Sequence, residues 1–449
     1  MNYYGLLCER TVQYGSKCFL QADEKAWTYA EFQEEVERTA CRLPELKGTV
    51  LAEAEGFFAQ AVLFFALQKK GCLPVLLHHG LEDDAIAEII RENQLQACIR
   101  QGEPLKAERY AFSPRRHEET DCLGVLSSGS TGTPKVMYRT YESWAGYFPE
   151  QNRIFQVTAA ARLFLQGNLS FTGNMNTFLS VLYAGGTVLT SDSLYSRRWL
   201  KLLAQENGNI LYLVPAKLQL LLERIKEPLQ GIEVVFTGSQ LLGHAALAHL
   251  QEAVPQARIL LYYGASELNY ITYAVCENAD RDPMNLGRPF PGVKLDIQGD
   301  TIYVTTKYHV SGIPMPFTIE DTGHLNEAGE LIFTGRRQNW INKGGFKISC
   351  TKVELELKDI AGIQDAVVLP YADTLRGHEI AAFLAAPEQD EAMLRKRIRR
   401  ALPAVDVPGR LFFLEKIPLN DRGKTDRPVL ENMLKQTKCI RLFYLVLFL

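Results

Sequence analysis

The sequence predicts an α/β protein with a large N-terminal domain of mostly parallel sheets flanked by helices, a β-rich subdomain, and a small C-terminal α+β domain. Its 449 residues exceed what one hydrophobic core normally serves. Helical patterns alternate with short apolar runs at residues 210–214, 234–236 and 259–263, which is typical of βα units around a parallel sheet. Alternating apolar residues at 301–304 and 330–333 then indicate a β-rich stretch.

The turn-like segment 335–343 is the best candidate for a domain boundary. The β-rich stretch precedes it, and the chain that follows is short enough for one small α+β domain. The sequence contains no internal repeat, low-complexity tract or long linker that would favour another boundary. We therefore predict an N-terminal domain at 1–337 and a C-terminal domain at 338–449.

Composition narrows the class of protein. Apolar residues make up 47% and charged residues 22%, and 49 basic against 52 acidic side chains give a net charge of -3. This balance is typical of globular proteins and gives no indication of a nucleic-acid partner. The nine cysteines form no CxxC pair and follow no secretory signal, so we expect reduced thiols in a cytoplasmic protein.

The C-terminal residues 439–449 are nearly all apolar after Arg441. They are shorter than the roughly 20 residues that a membrane-spanning helix needs, so no transmembrane span is predicted. Two interpretations remain open, a packed C-terminus and a peripheral contact with a membrane or a partner. The sequence does not indicate an oligomeric state.

The most informative segment is 127–135, which reads Ser-Ser-Gly-Ser-Thr-Gly-Thr-Pro-Lys and follows the apolar run 122–126. Its glycines allow backbone N–H groups to converge on an anion, its hydroxyl groups add donors, and Lys135 adds a positive charge. The Walker order GxxxxGK[ST] is absent. The pattern predicts a phosphate-binding loop made of Ser127, Ser128, Gly129, Ser130, Thr131, Gly132, Thr133 and Lys135.

This loop resembles the signature of the adenylate-forming (AMP-binding) superfamily, which includes acyl-CoA synthetases, luciferases and peptide-synthetase adenylation domains. Further matches follow in family order along nearly the whole chain. They begin with the segments 27–32 and 66–75, continue at 236–240, 262–267 and 320–324, and end at 335–336, 342–348, 353–356 and 418–427. The resemblance is to the acyl-CoA synthetase branch, and it implies the adenylate-forming enzyme fold with a mobile C-terminal domain.

The resemblance implies a nucleotide site for ATP and Mg²⁺. Forming an acyl adenylate brings a carboxylate against the α-phosphate, so Mg²⁺ is needed to reduce anionic repulsion, and Glu267 is its expected ligand with Thr131 as a further candidate. Asp321 is expected at the ribose hydroxyls and Arg336 at the ribose or phosphates. The remaining nucleotide-binding residues that it implies are Gly238, Ser239 and Gln240 along the adenine, and Tyr262, Tyr263, Gly264, Ala265 and Ser266.

The resemblance also assigns roles in the C-terminal domain. Lys424 is expected to contact the substrate carboxylate and the α-phosphate during adenylation, as a fixed positive charge. The domain then rotates and presents the loop of Lys343, Gly344 and Gly345 for thioester formation. At the hinge, where the family usually has Asp or Lys, this chain has Gln338. The catalytic residues predicted are Lys424, Glu267 and Lys135.

The expected reaction joins a carboxylic acid to AMP, releases pyrophosphate, and passes the acyl group to the thiol of coenzyme A. The residues expected to border the acyl group are Phe171, Gly238, Gly264 and Asn269. Thr172 follows Phe171 where amino-acid activators usually have Asp, which disfavours an amino acid and leaves a fatty acid as the favoured substrate.

Three alternatives to a fatty-acyl-CoA synthetase remain. The first is an aryl-acid or succinylbenzoate CoA ligase, because residues that form an acyl pocket are scattered along a sequence. The second is an adenylation enzyme that loads a carrier protein, since its phosphopantetheine presents the same thiol. The third is a non-catalytic protein that binds the adenylate.

Overall fold

The computed structural model describes residues 1–100, 106–113, 120–127, 133–373, 377–386, 390–419 and 425–446, without the side chains of residues 338 and 437–446. The described helices are α1 (Tyr3–Tyr14), α2 (Tyr29–Arg42), α3 (Phe57–Lys69), α4 (Asp83–Asn93), α5 (Glu142–Ala145), α6 (Phe148–Phe155), α7 (Thr172–Ala184), α8 (Ser196–Gln205), α9 (Pro215–Leu222), α10 (His244–Ala253), α11 (Cys350–Lys358), α12 (Glu391–Ala401) and α13 (Arg427–Val446).

The described strands fall into four sheets. They are β1 (Cys18–Ala22), β2 (Lys25–Thr28), β3 (Thr49–Ala54), β4 (Leu73–His78), β5 (Ala97–Arg100), β6 (Lys106–Arg109), β7 (Asp121–Leu126), β8 (Val136–Thr140), β9 (Arg162–Leu165), β10 (Thr187–Thr190), β11 (Ile210–Tyr212), β12 (Val234–Gly238), β13 (Arg258–Ala265), β14 (Asn269–Val275), β15 (Arg288–Pro289), β16 (Lys294–Gln298), β17 (Thr301–Thr305), β18 (Asp321–Leu325), β19 (Leu331–Arg336), β20 (Trp340–Lys343), β21 (Phe346–Ser349), β22 (Asp365–Asp373), β23 (Gly377–Ala385) and β24 (Arg410–Leu414).

The largest described sheet has the order β15-β14-β13-β12-β11-β9-β10-β1-β2. The three apolar runs predicted from the sequence form β11, β12 and β13, which are parallel neighbours. A second sheet, β6-β5-β3-β4-β7-β8, contains the parallel strands β3, β4 and β5. The predicted α/β fold with mostly parallel sheets is therefore confirmed.

Helix α3 is packed into the main core rather than lying at the surface. It is apolar on all sides, and most of its residues are buried. It contacts helices α1 and α2 and strands β3 and β4. Aromatic rings dominate the core near the main sheet, where Phe155 and Phe236 stack with centroids 4.2 Å apart. The core holds the two large sheets in one N-terminal unit.

The β-rich stretch forms an antiparallel sheet, β16-β17-β18-β19, which ends at Arg336. A short 3₁₀ turn at Arg337–Asn339 follows, and the next sheet begins with Trp340. That sheet, β21-β20-β23-β22 with β24 beside β23, has its own apolar core. The predicted boundary at 337/338 lies within the 3₁₀ turn.

Polar contacts connect the small C-terminal sheet unit to the rest of the chain. Lys347 Nζ lies 3.1 Å from Asp300 Oδ2, and the backbone N–H of Ala245 donates to Asp359 at 3.2 Å. The Ser349 hydroxyl donates to the carbonyl of Thr334. Exposed ion pairs contribute little to stability, so this contact surface is compatible with domain rotation. Among the described residues, no helix is both long and apolar enough to cross a membrane.

Candidate active site

The described ends of the predicted phosphate loop are held together at the base of a hairpin. Strands β7 and β8 pair in antiparallel fashion, and the Ser127 N–H donates to the Lys135 carbonyl while the Lys135 N–H donates to the Ser127 hydroxyl. Asn93 supports the second end, because its amide donates to the Pro134 carbonyl and accepts from the Val136 N–H. These bonds leave the exposed Lys135 side chain at the loop's exit.

Arg139 links this hairpin to the predicted adenylate motif. It lies on β8, is fully buried, and donates to the Ser266 carbonyl at 2.6 Å and to the Tyr308 carbonyl at 3.2 Å. Burial lowers the pKa of Arg139 to about 10, while the nearby Glu267 raises it in part. The guanidinium therefore fixes the backbone next to Glu267 relative to the strand that leaves the phosphate loop.

Tyr263, Asp321 and Arg336 form the best-defined polar group of the candidate site. Asp321 on β18 and Arg336 on β19 are directly opposite each other, and Arg336 Nε lies 3.3 Å from Asp321 Oδ1. The Tyr263 hydroxyl donates to Asp321 Oδ2 at 2.7 Å. Burial raises the pKa of Asp321, and the nearby Arg336 and Tyr263 lower it only in part.

The residues predicted to lie along the adenine meet at the carboxyl ends of β12 and β13. These parallel neighbours bring Gly238 opposite Tyr262. The Tyr262 hydroxyl lies 3.0 Å from that of Tyr212, and Ser239 follows with a φ of 71°. Ser239 is exposed, and Gln240 next to it is half-buried. Ligands of α/β proteins usually bind at this edge of the sheet.

The turn between β13 and β14 brings together the predicted adenylate and acyl segments. The Ser266 hydroxyl donates to that of Thr172, the first residue of α7 and the neighbour of Phe171. The backbone of Glu267 is fixed because its carbonyl accepts from the Val310 N–H. Asn269 is buried with a φ of 70°, and its side-chain N–H₂ has no described partner.

The two glycines of the predicted thioester loop are exposed, whereas the side chain of its first residue, Lys343, points into the small C-terminal unit. Lys343 is buried, with Nζ 2.6 Å from Glu379 Oε1 and 2.9 Å from the Val407 carbonyl. Its side chain therefore supports the interior of the small unit. Gly344 and Gly345 are exposed at the turn between β20 and β21, and Phe346 after them is 63% exposed.

Several predicted residues lie outside the described part of the chain: Ser128, Gly129, Ser130, Thr131, Gly132, Lys424 and the side chain of Gln338. The described residues that flank these segments form hydrogen-bonded pairs across them. In particular, Leu419 and Thr425 form an isolated antiparallel bridge on either side of the segment that contains Lys424. The roles of the undescribed residues remain predictions.

The residues present fit an adenine nucleotide with Mg²⁺. Asp321 is buried, and its Oδ1 accepts no well-aligned hydrogen bond among the described residues, which leaves an acceptor for a ribose hydroxyl. Mg²⁺ is usually held by one or two carboxylates together with substrate phosphates. A single carboxylate, Glu267, in a turn that Arg139 fixes to the phosphate-loop hairpin matches that pattern.

Sequence reasoning missed Asn93 and Arg139. Asn93 lies at the end of a helix far from the loop that it supports, so no local motif indicates it. Arg139 stands within the mostly apolar strand Val136–Thr140, and a lone arginine in such a strand was the available signal. Charged residues are almost never fully buried unless they are paired, so a fully buried arginine indicates a structural or functional requirement.

Two protein-family models and several known proteins match this chain. The family model described as AMP-binding enzyme matches residues 8–306, and that described as AMP-binding enzyme C-terminal domain matches residues 352–424. An uncharacterized acyl–CoA ligase, YhfT, of Bacillus subtilis is 25% identical over 70% of this chain and 68% of its own length. A putative long chain fatty acid-CoA ligase, VraA, of Staphylococcus epidermidis is 22% identical over 94% of this chain and 96% of its own.

A solved structure shows the same fold. The O-succinylbenzoate coenzyme A synthetase MenE of Bacillus subtilis, in complex with ATP and magnesium ion, superimposes with a TM-score of 0.81. The match covers 95% of this chain and 99% of that one at 18% identity. At this identity the likeness concerns the fold.

Proposed function

The chain belongs to the AMP-binding enzyme family and is an AMP-forming acid–CoA ligase, and we propose that it activates a fatty acid or a closely related aliphatic acid. ATP and coenzyme A are its co-substrates and Mg²⁺ is its metal. The observation that supports the adenylation chemistry is the Arg139 bridge, which joins the phosphate-loop hairpin to the Ser266–Glu267 turn. That bridge holds the hairpin and the acyl-facing turn in one fixed arrangement.

In the first half-reaction, a carboxylate oxygen of the acid forms a bond to the α-phosphorus of ATP, and the bond from that phosphorus to pyrophosphate breaks. Asp321 accepts hydrogen bonds from the ribose, with Tyr263 and Arg336 fixing its orientation. Lys135 and Lys424 supply positive charge at the phosphates and the reacting carboxylate. Glu267 would hold Mg²⁺, whose charge would reduce the repulsion between these anions.

In the second half-reaction, the thiol sulfur of coenzyme A attacks the acyl carbon. AMP leaves with the electron pair of the broken C–O bond, and the thiol proton passes to solvent. Gly344 and Gly345 serve this step, because their exposed turn can approach the site when the small domain rotates. Lys343 stays paired with Glu379 inside that domain.

The fatty-acid proposal is supported by the residues at the start of α7 and by one relative. Phe171 and Thr172 place no carboxylate next to Ser266, so this position has no partner for the ammonium group of an amino acid. The relative from Staphylococcus epidermidis is named as a putative long chain fatty acid-CoA ligase. The reaction uses metabolites of the cytoplasm, where we expect this protein to act.

The test is an acid-dependent ATP–pyrophosphate exchange assay with fatty, aryl and amino acids, followed by AMP release with coenzyme A or with a phosphopantetheinylated carrier protein. We expect exchange with aliphatic acids and AMP release that requires coenzyme A. Preference for aryl acids would reject the fatty-acid proposal. AMP release that occurs only with the carrier protein would reject coenzyme A as the acyl acceptor.

A lysine substitution tests the assigned chemistry. Lys424→Ala should lower exchange on the order of 100-fold or more, because removal of one electrostatic group from a transition state has that effect. Nucleotide affinity should change little, as measured by calorimetry. The matched control is Lys416→Ala, which removes an exposed lysine from the same domain. Equal loss of exchange and nucleotide binding would contradict the role of Lys424.

A further inference from the structure

The indole of Trp340 joins the two units of the chain directly after the 3₁₀ turn, and the mechanism above does not use it. Trp340 is the first residue of β20 and is half-buried. Its Nε1–H donates to the hydroxyl of Thr322 on β18 at 3.1 Å. An indole has only this one hydrogen-bond donor, and here the donor is bound by a residue of the N-terminal unit.

The hydroxyl of Thr322 has one acceptor position for this bond. Thr322 is 1% exposed, donates to the Gly335 carbonyl at 2.9 Å and accepts from the Thr334 hydroxyl at 3.0 Å. A hydroxyl has one donor and two acceptor positions, so the bond from Trp340 completes its capacity. Asp321, the residue expected at the ribose, directly precedes Thr322 on β18. The bond therefore connects the small unit to the strand that is expected to hold the ribose.

The two units approach each other closely at Gly335, which makes the bond possible. Gly335 on β19 is directly opposite Thr322. A Cβ at this position would lie 3.1 Å from the Ser349 hydroxyl and 3.2 Å from Trp340 Nε1, and the Ser349 hydroxyl donates to the Thr334 carbonyl at 2.9 Å. A side chain at residue 335 would push β20 and β21 away from the N-terminal unit.

Lys347 adds a charged contact on the same side of the small unit. Its ammonium lies 4.7 Å from the centroid of the Trp340 ring and 3.1 Å from Asp300 Oδ2. Lys347 and Asp300 are both exposed, so their ion pair contributes little. The bond from Trp340 ends on a buried hydroxyl, where water cannot replace it, and is the stronger contact.

The glycine turn indicates which half-reaction this arrangement serves. Apart from chain neighbours, no described atom lies within 4 Å of the position that a Cβ would take on Gly344 or Gly345. A turn that serves the thioester step has to contact the N-terminal unit, so this arrangement is not the one for that step. Trp340 and the turn belong to the same hairpin, β20–β21, and a rotation that brings the turn to the site moves the indole away from Thr322.

We propose that Trp340 is a positioning residue, which holds the small domain in the adenylation arrangement through its bond to Thr322 and releases that bond before the thioester step. This inference rests on the proposed function and specifies how its two half-reactions are separated. The bond is non-covalent, and the chemistry of both steps is unchanged. Trp340 acts only through the position of the small domain.

The experiment compares the two half-reactions in Trp340→Phe, which keeps the ring under Lys347 and removes only the N–H donor. Adenylation is measured by ATP–pyrophosphate exchange, and the thioester step by single-turnover AMP release from preformed acyl-AMP with coenzyme A. The ratio of the second rate to the first should rise about 2- to 10-fold, the effect of one neutral hydrogen bond on an equilibrium. The matched control is Trp199→Phe, which removes an indole N–H bonded to the Ser193 carbonyl within the N-terminal unit and should leave the ratio unchanged.

Tryptophan fluorescence adds a readout that a purely structural indole would not change. Coenzyme A added to wild-type protein with a non-cleavable acyl-adenylate analogue should move the tryptophan emission to longer wavelength, because Trp340 loses its contacts with Thr322 and Gly335. Trp340→Phe should abolish this shift, and Trp199→Phe should retain it.

A second variant tests the same surface without touching a core residue. Asp300→Asn weakens the exposed contact with Lys347 and should move the ratio of the two rates in the same direction by a smaller factor. A move in the opposite direction would contradict the proposal, also where Trp340→Phe fails to fold.

Two results would overturn the role of Trp340 and leave the proposed function in place. One is an unchanged rate ratio in folded Trp340→Phe, including an equal fall of both rates, which would make the indole part of the framework. The other is an emission shift that persists without Trp340. No exchange by the wild-type protein with any acid would reject the proposed function and this inference with it.

Discussion

Replacing Asp321 with asparagine should weaken ATP binding without weakening the fold. Asp321 is buried beneath the hydroxyl of Tyr263 and next to the exposed Arg336. The side-chain oxygen of asparagine can still accept from Tyr263, while its N–H₂ faces Arg336, whose side chain is 67% exposed and can move into solvent. The substitution therefore removes a charge and one acceptor with little change of shape.

The effect on stability follows from the direction of the pKa shift. Burial raises the pKa of Asp321, so the folded protein holds this proton to a higher pH than the unfolded chain does. The ionised carboxylate therefore costs folding free energy at neutral pH, and this cost disappears as the pH falls through the folded and then the unfolded pKa. At pH 7, the free energy of unfolding of Asp321→Asn should be no more than about 1 kcal/mol below that of the wild type.

The effect on binding follows from the hydrogen bond that is lost. A hydrogen bond to a charged group contributes about 1.5–3 kcal/mol, so the KM for ATP should rise roughly 10- to 100-fold. The measurements are KM for ATP in the exchange assay, nucleotide affinity by calorimetry, and urea unfolding at pH 7 and pH 5. Asp296→Asn, which changes an exposed acid on the same sheet, is the matched control.

Two results would refute this reasoning. An unchanged KM for ATP in a folded variant would mean that Asp321 does not contact the nucleotide. A loss of more than about 2 kcal/mol in unfolding free energy would mean that the carboxylate stabilises the fold, contrary to its raised pKa.

Two further predictions concern the small domain. Lys343→Met should lower the free energy of unfolding by about 3–5 kcal/mol in urea denaturation, because the buried carboxylate of Glu379 would lose the ammonium that compensates its charge. The double variant Lys343→Met/Glu379→Leu should recover most of this loss, and equal stability of single and double variants would contradict the prediction. Gly345→Ala should slow coenzyme A-dependent AMP release by at least about tenfold while leaving ATP–pyrophosphate exchange nearly unchanged, because φ at Gly345 is +94° and alanine is strained there. The matched control is Gly329→Ala, at an exposed turn with φ of +73°. Equal slowing of both half-reactions would contradict the assignment of Gly345 to the thioester step.

Much of the fold could be predicted because its signals are local. The apolar runs that became β11, β12 and β13 are short, mostly apolar and separated by helical patterns, and these features alone favour a parallel sheet. The pairing of Asp321 with Arg336 was also accessible, since both belong to motifs in family order. Their direct opposition on β18 and β19 is consistent with the predicted shared role at the ribose.

Other contacts could not be predicted because they join residues that are distant in sequence. Arg139 reaches Ser266 and Tyr308, and Asn93 reaches Pro134, through packing between different sheets and helices. Lys343 was predicted in the thioester loop from its place in a motif, but its side chain turns inward to Glu379. The direction in which a side chain points at a strand end depends on how the neighbouring strand pairs with it, and the local sequence does not specify that pairing.

The sequence by itself determined the chemistry of this protein, because phosphate binding and charge stabilisation require particular residue types at fixed local spacings. The predicted phosphate loop, the predicted roles of Glu267 and Asp321 and the order of the motifs all follow from the chain as written. The tertiary structure decided which residues support that chemistry. Arg139 acquires its meaning only through burial, since the energetic cost of a charge depends on what surrounds it in space.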